Sequence, residues 1–129
     1  MPISLEGLAS AQDAVAAWAV AEGVPGQAAL RLRLVLEELV ANLVQHAGWP
    51  HGPVPARLEV AWQGGELAAA LEDAATPFDP RMAPAPTVPR LEDDRLGGLG
   101  LGLVRRMTRT LRYLPAPGGW NRTEFAVRL

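Results

Sequence analysis

The sequence Glu38-Leu-Val-Ala-Asn42-Leu-Val-Gln-His46-Ala47 ends a long, mainly apolar segment that starts at Pro25. Apolar side chains cover most of the circumference of the helix predicted here, which is typical of a buried helix. Three polar residues, Glu38, Asn42 and His46, nevertheless recur at a spacing of four. Because four residues advance a helix by one turn plus about 40°, the carboxylate and the amide share one face. Burying such groups unpaired is costly, so a polar partner must meet this face.

Two interpretations of this polar face stay open from the residues alone. The first is structural: capping, or a salt bridge to one of the arginines. The second is an oxygen-ligand site, because an asparagine carbonyl suits Mg²⁺, which proteins usually hold with few side chains plus phosphate oxygens. A glutamate one turn away can orient or deprotonate a hydroxyl that attacks phosphorus.

The flanking segments predict the remaining elements of one domain. Apolar residues at helical spacing predict a first helix over residues 4–23. Residues 57–62 and 67–71 read as two strands joined by a hairpin turn at Gly64-Gly65. A third helix is predicted from Leu101 to about Thr110. Strands at 111–114 and 123–129 flank a turn at Pro117-Gly118-Gly119. This order predicts an α+β fold, a mixed, mostly antiparallel sheet with its helices on one face.

Residues 76–98 differ from the rest of the chain. The first fourteen of them include Pro77, Pro80, Pro84, Pro86 and Pro89. So many prolines are not compatible with a helix or a central strand over this segment. Long loops inside compact domains are uncommon and often functional. We therefore predict a lid over this segment.

Two further stretches carry candidate chemistry. The run Gly97-Gly98-Leu-Gly100-Leu-Gly102 precedes the third helix, and glycines there let backbone N–H groups approach phosphate oxygens. A flexible hinge fits the same run equally well. Glu72-Asp73 ends the second strand; it is either a simple strand terminus or a carboxylate that accepts a hydrogen bond from an amino group such as that of adenine.

Composition excludes several classes of function. The chain of 129 residues has a formal net charge of −2 and no cysteine, and all 12 of its basic residues are arginine. Disulfides, thiolate zinc sites and cysteine nucleophiles are therefore excluded. The absence of lysine and of a preceding strand argues against a Walker or Rossmann phosphate loop. No basic excess points to nucleic acid or to a membrane surface. No signal peptide or membrane span is predicted, so the expected location is the cytoplasm.

Taken in order, these stretches resemble the boxes of the GHKL ATPases, in the form found in bacterial anti-sigma-factor serine/threonine protein kinases. Residues 38–47 resemble the N-box. Residues 73–80, which end in Pro-Phe-Asp-Pro, resemble the first glycine box, and residues 98–102 resemble the second. Asn121-Arg-Thr-Glu-Phe resembles the closing strand. The resemblance spans about residues 27–129.

The resemblance implies a single Bergerat-type α/β sandwich over residues 1–129 that holds Mg²⁺ and ATP. It implies Glu38 as general base, Asn42 as the Mg²⁺ ligand and Asp73 as the carboxylate that reads adenine. The other nucleotide-binding positions that it implies are His46, Ala75, Thr76, Phe78, Gly98, Leu99, Gly100, Leu101 and Gly102. In this family the kinase phosphorylates a serine or threonine of a small antagonist protein and sequesters a sigma factor.

Two departures from the family pattern accompany the resemblance. Ala75 stands where the first box has a glycine, so the loop is either strained there or rerouted. The N-terminal strand that helps some relatives dimerise is nearly absent, which leaves a homodimer open. Two alternatives are a partner-binding regulator without catalysis and a stand-alone sensor-kinase ATPase domain. In the latter, His46 lies too close to the metal site to accept a phosphoryl group.

Overall fold

The computed structural model describes residues 1–77, 81 and 100–129, apart from the side chain of Leu101. The elements in chain order are α1 (Leu5–Glu22), α2 (Gly26–His46), β1 (Arg57–Gln63), β2 (Glu66–Asp73), α3 (Leu101–Met107), β3 (Thr108–Ala116) and β4 (Trp120–Val127). A 3₁₀ turn at Pro117–Gly119 joins β3 to β4. The lid predicted over residues 76–98 falls almost wholly outside the described residues.

Local sequence signals place the ends of the two long helices. The Ser4 hydroxyl oxygen accepts a hydrogen bond of 3.0 Å from the Gly7 backbone N–H, which caps the start of α1. Gly23 ends α1 in the left-handed conformation, with a φ of 74°. Pro25 immediately precedes α2, and Ala47 follows its last residue. Both predicted helices are confirmed.

The four strands form one sheet in the order β1-β2-β4-β3, and every pairing among the described strands is antiparallel. Gly64 and Gly65 form the tight turn between β1 and β2, as predicted. Strand β2 pairs with β4 rather than with β3. Along the chain, helix α3 and strand β3 therefore lie between these two paired strands. The α+β fold is confirmed.

The hydrophobic core lies between the helices and one face of the sheet. Alternate residues of β2, among them Leu67 and Leu71, are buried on that face, and Phe125 of β4 joins them. Trp18 and Trp62 pack against this core. The helix residues of the core are Leu8, Val15, Ala19, Ala28, Leu32, Val35, Leu36, Leu39, Val40 and Val104. No helix in the described part of the chain is long and apolar enough to cross a membrane.

The last third of the chain corrects the predicted bounds of three elements. Helix α3 ends at Met107, three residues before the predicted end near Thr110. Thr108 pairs with Val127 at the start of β3, and its hydroxyl donates a hydrogen bond of 2.8 Å to the Val104 carbonyl. Pairing with β4 therefore ends the helix earlier than local helical spacing suggests. Strand β3 runs from 108 to 116 rather than 111 to 114, and β4 from 120 to 127 rather than 123 to 129.

Candidate functional site

The best-defined polar group of the candidate site is the carboxylate at the end of β2. Asp73 lies directly opposite Asn121 of β4 in the sheet register. Both side chains are buried, with 7% and 5% of their surfaces exposed. The Asn121 amide Nδ2 donates a hydrogen bond of 3.0 Å to Oδ1 of Asp73. The same amide donates a second hydrogen bond, of 2.8 Å, to the carbonyl of Ala75.

The turn after β2 closes on the same carboxylate. The Ala75 N–H donates a hydrogen bond of 3.0 Å to Oδ1 of Asp73. No described residue other than glycine has a positive φ, so Ala75 carries no left-handed strain. Of the two consequences expected for the missing glycine, left-handed strain at Ala75 is therefore absent. Oδ1 thus accepts two hydrogen bonds, while no donor among the described residues reaches Oδ2.

The environment of Asp73 changes its acidity. Burial raises the pKa of the Asp73 carboxyl above its ordinary value of 3.8. The hydrogen bonds from Asn121 and from the Ala75 N–H oppose this effect, because they favour the charged form, but burial outweighs them. A carboxylate that is desolvated and held by donors on one oxygen retains an acceptor on the other. It is suited to receive a hydrogen bond from an amino group.

The turn also reaches the end of α2. The Thr76 N–H donates a hydrogen bond of 2.8 Å to the carbonyl of Gly48. A Cβ atom at position 48 would lie 2.9 Å from the Thr76 hydroxyl oxygen, so this contact requires glycine or a shift of the threonine. The turn after β2 is therefore hydrogen-bonded, through the backbone of the exposed Thr76, to the segment that follows α2.

The polar face of α2 becomes more exposed along the helix. Glu38 is buried, with 4% of its surface exposed, Asn42 is half-buried and His46 is exposed. The three side chains lie on consecutive turns, as their spacing predicts. Their roles in nucleotide binding stay predictions.

The start of α3 has a backbone that requires glycine. Gly100 adopts a φ of 65° and a ψ of −157°, a combination that is essentially restricted to glycine. Gly102 in the first turn of α3 is buried, and α3 packs against α2. Three other predicted positions lie outside the described residues: Phe78 of the first glycine box, and Gly98 and Leu99 of the second. Leu101 is described only by its backbone.

The oxygen donors of the candidate site suit a metal ion bound mainly by phosphate oxygens better than one surrounded by protein ligands. Within the described ranges, no group of three or more His, Cys, Asp or Glu side chains is close enough to hold a metal. Asn42 supplies one amide oxygen on the half-buried face of α2. Mg²⁺ is commonly held by one or two protein oxygens together with phosphates and water. The predicted donor set is therefore compatible with Mg²⁺ bound to a nucleotide.

Two residues of this arrangement were not predicted as site residues. The sequence predicts Asn121 only as part of the closing strand, and Gly48 only follows the segment that ends at Ala47. The sequence signal for Asn121 is an amide side chain at a buried position of a strand. Its partner can be identified only when the β2–β4 register is known. The signal for Gly48 is weaker, because a glycine after a helix is ordinary.

Comparison with known proteins supplies the family. The model of the histidine kinase-like ATPase domain matches residues 1–121 of the chain. The chain belongs to the histidine kinase-like ATPase family. It is also 34% identical, over 91 residues, to the serine/threonine-protein kinase BtrW of Bordetella bronchiseptica. That similarity covers 70% of this chain and 63% of the relative, so the chain spans less than two thirds of the relative's length.

Membership of the histidine kinase-like ATPase family agrees with the predicted resemblance and with the α+β fold. The class of domain that the family match shows is a histidine kinase-like ATPase domain. Within that class, the residues at the ends of β2 and β4 form the part of the candidate site that the structure defines in most detail.

Proposed function

We propose that this chain binds Mg²⁺ and ATP and transfers the γ-phosphoryl group to a serine or threonine of a small antagonist protein. We further propose that it sequesters a sigma factor. The observation that carries the nucleotide part is the buried Asp73 carboxylate, which holds two donors on one oxygen and offers the other. Family membership makes ATP the nucleotide to test first.

The base would bind where β2 ends. A 6-amino group of adenine donates a hydrogen bond, and Oδ2 of Asp73 is an acceptor with no donor among the described residues. A charged acceptor gains from such a partner because hydrogen bonds to charged groups are among the stronger ones. Ala75 and Thr76 continue from this carboxylate towards the end of α2.

The phosphates would lie between α2 and the start of α3. Backbone N–H groups near Gly98, Gly100 and Gly102 would contact phosphate oxygens, since glycine allows close approach. One Mg²⁺, held by Asn42 and the phosphates, would offset part of the phosphate charge. The exposed His46, one turn beyond Asn42, would lie at the margin of the nucleotide.

Phosphoryl transfer would use Glu38 as general base. The hydroxyl oxygen of the acceptor attacks the γ-phosphorus, the bond from that phosphorus to the bridging oxygen breaks, and ADP leaves. Glu38 takes the hydroxyl proton. The buried position of Glu38, one turn before Asn42 on the same helix face, supports this assignment.

The protein partner is inferred from similarity. The relative is named a serine/threonine-protein kinase, which supports a protein hydroxyl as the acceptor. The antagonist protein and the sigma factor follow from the resemblance to anti-sigma-factor kinases. A regulator that binds its partners without catalysis is the alternative outcome of the test.

The test begins with binding. Millimolar Mg²⁺ and ATP should raise the melting temperature, because a ligand that binds only the folded state stabilises it. No shift and no calorimetric heat would reject nucleotide binding. The binding-competent protein is then incubated with γ-labelled ATP and a candidate antagonist encoded nearby. Label on the antagonist supports the kinase, label on this chain indicates a different phosphotransfer, and no label supports a binding module.

A further inference from the structure

The Asn121 side chain makes two hydrogen bonds that join two different parts of the candidate site. One reaches Oδ1 of Asp73 and the other reaches the carbonyl of Ala75, at 3.0 and 2.8 Å. Asn121 is buried and lies opposite Asp73 in the β2–β4 register. Its amide therefore sets the rotation of the carboxylate and anchors the turn that follows it.

Both donors to Asp73 act on the same oxygen. The Ala75 N–H and the Asn121 amide both reach Oδ1 at 3.0 Å. If the side chain of Asp73 rotated, these two donors would lose their acceptor in a buried place, which is costly. The carboxylate is consequently held with Oδ1 towards the Asn121 amide and the Ala75 N–H.

The same amide also holds the turn at Ala75. Ala75 lacks the positive φ that a glycine permits, and its carbonyl is held from outside by the Asn121 amide. Truncation of the Asn121 side chain would remove one donor from each of two acceptors, Oδ1 of Asp73 and the carbonyl of Ala75. Asn121 thus supports the turn and the carboxylate together.

We propose that Asn121 is a positioning residue for base recognition, because it fixes the plane of the Asp73 carboxylate and so the place where its second oxygen can meet the nucleotide base. This inference rests on the proposed nucleotide function. With Oδ1 held, the base meets a hydrogen-bond acceptor at a fixed place, which selects purines with an amino group at the 6-position. Asn121 itself need not touch the base.

The first experiment compares two nucleotides that differ only in that amino group. ATP and purine riboside triphosphate, each with Mg²⁺, are titrated into the wild-type protein and Asn121→Ala. The wild-type protein should prefer ATP about tenfold, the value of one well-placed hydrogen bond to a charged group. Asn121→Ala should lose most of that preference: ATP binding weakens about tenfold while binding of the analogue changes less than about threefold.

A matched control removes a different buried hydrogen bond. The Thr108 hydroxyl donates to the Val104 carbonyl at 2.8 Å, at the end of the sheet opposite Asn121. Thr108→Val should lower stability without changing the ratio of the two affinities. If Asn121→Ala weakens both nucleotides equally, or neither, its role is structural and the inference is overturned.

A second variant makes the orientation visible. A carboxylate has two equivalent oxygens, but the amide of Asp73→Asn has one acceptor and one donor. With Asn121 in place, the amide oxygen should keep the two donors and the amino group should face the base. Asp73→Asn should then favour inosine triphosphate, which carries a 6-oxo group, over ATP by about tenfold.

Adding Asn121→Ala to Asp73→Asn should reduce that inverted preference at least about threefold, because one of the two donors that orient the amide is lost. An inverted preference that persists unchanged would overturn the inference. If Asp73→Asn binds neither nucleotide, the first experiment decides alone. A wild-type protein that binds ATP while Asn121→Ala keeps its selectivity rejects only the role of Asn121. A wild-type protein that binds no nucleotide rejects the proposed function as well.

Discussion

The two ends of the candidate site are built in different ways. The base end comprises Asp73, Ala75 and Asn121, which three hydrogen bonds join to one another across the ends of β2 and β4. The phosphate end comprises Glu38 and Asn42 on α2 and the glycines that begin α3. Its residues are placed by helical spacing and by the backbone of Gly100, whose conformation requires glycine.

This difference predicts which property each end of the candidate site controls. At the base end, the described residues hydrogen-bond to one another and leave Oδ2 of Asp73 as an acceptor, so this geometry is set before a ligand binds. At the phosphate end, Asn42 is half-buried, and the Mg²⁺ that we propose it binds would arrive with the nucleotide. We expect substitutions at the base end to change selectivity, and substitutions at the phosphate end to change metal dependence and rate.

The largest effect is expected at Glu38. Glu38→Gln should lower the rate of phosphoryl transfer at least about 100-fold, because the general base is lost while the side-chain shape is kept. Affinity for ATP should stay within about threefold. Single-turnover transfer of labelled phosphate and nucleotide titration measure the two quantities. Glu37→Gln, a change in the adjacent exposed glutamate of α2, is the control and should transfer phosphate normally. Equal rates in all three proteins would contradict the assignment of Glu38.

A smaller effect is expected at Asn42, and it should depend on the metal. Asn42→Ala should weaken binding of ATP in the presence of Mg²⁺ about tenfold, because one oxygen ligand is removed. Binding of ATP in excess chelator should change much less. Calorimetric titrations with and without Mg²⁺ separate the two cases. Gln45→Ala, on an exposed position of the same helix, serves as the control. A loss that is the same with and without Mg²⁺ would argue that Asn42 contacts the nucleotide directly.

The phosphate end could be predicted from sequence because its signals are local. Glu38, Asn42 and His46 share a face whenever residues 26–46 form a helix, and the apolar pattern predicts that helix. The Gly100 conformation also belongs to a local motif at a helix start. No knowledge of the tertiary structure is needed for either inference.

The base end could be predicted only in part. Asp73 was recognised through its strand and its motif, but its partner Asn121 is 48 residues away along the chain. Their contact exists because β2 pairs with β4 in one particular register, which depends on packing of the whole sheet. The same dependence explains the misplaced end of α3, where pairing of Thr108 with Val127 outweighed helical spacing.

Asp73 should also make stability depend on pH in the nucleotide-free protein. Burial raises its folded pKa above 3.8, so the folded state binds this proton more tightly than the unfolded state does. The stabilisation from protonation is present below pH 3.8 and is lost as the pH rises through the folded pKa. Asp73→Asn removes this titration and keeps an oxygen for the two donors.

We therefore expect nucleotide-free Asp73→Asn to be more stable than the wild-type protein at neutral pH, with a difference that shrinks as the pH falls towards 3.8. Urea unfolding across that range measures it. Asp13→Asn, on an exposed position of α1, is the control for the removal of one carboxyl charge. A variant that is less stable than the wild-type protein at neutral pH would show that the charge itself supports the base end.

The smallest effect is expected from the neighbour of Asn121 on the opposite face of β4. Arg122 lies 3.2 Å from Glu59, 3.7 Å from Glu72 and 3.8 Å from Glu124, measured between side-chain nitrogen and oxygen atoms. The Arg122 and Glu59 side chains are 27% and 64% exposed, so solvent and salt screen their attraction. Arg122→Gln should lower the free energy of unfolding by about 1 kcal/mol or less, and less still at high salt.

Because successive strand residues point to opposite faces, Arg122→Gln should leave ATP affinity within about twofold of the wild-type value. Urea unfolding at two salt concentrations and an ATP titration test both expectations. If Arg122→Gln weakened ATP binding as much as Asn121→Ala, the charged face would be coupled to the base end. Base recognition would then depend on the strand ends as a unit rather than on the single amide that faces Asp73.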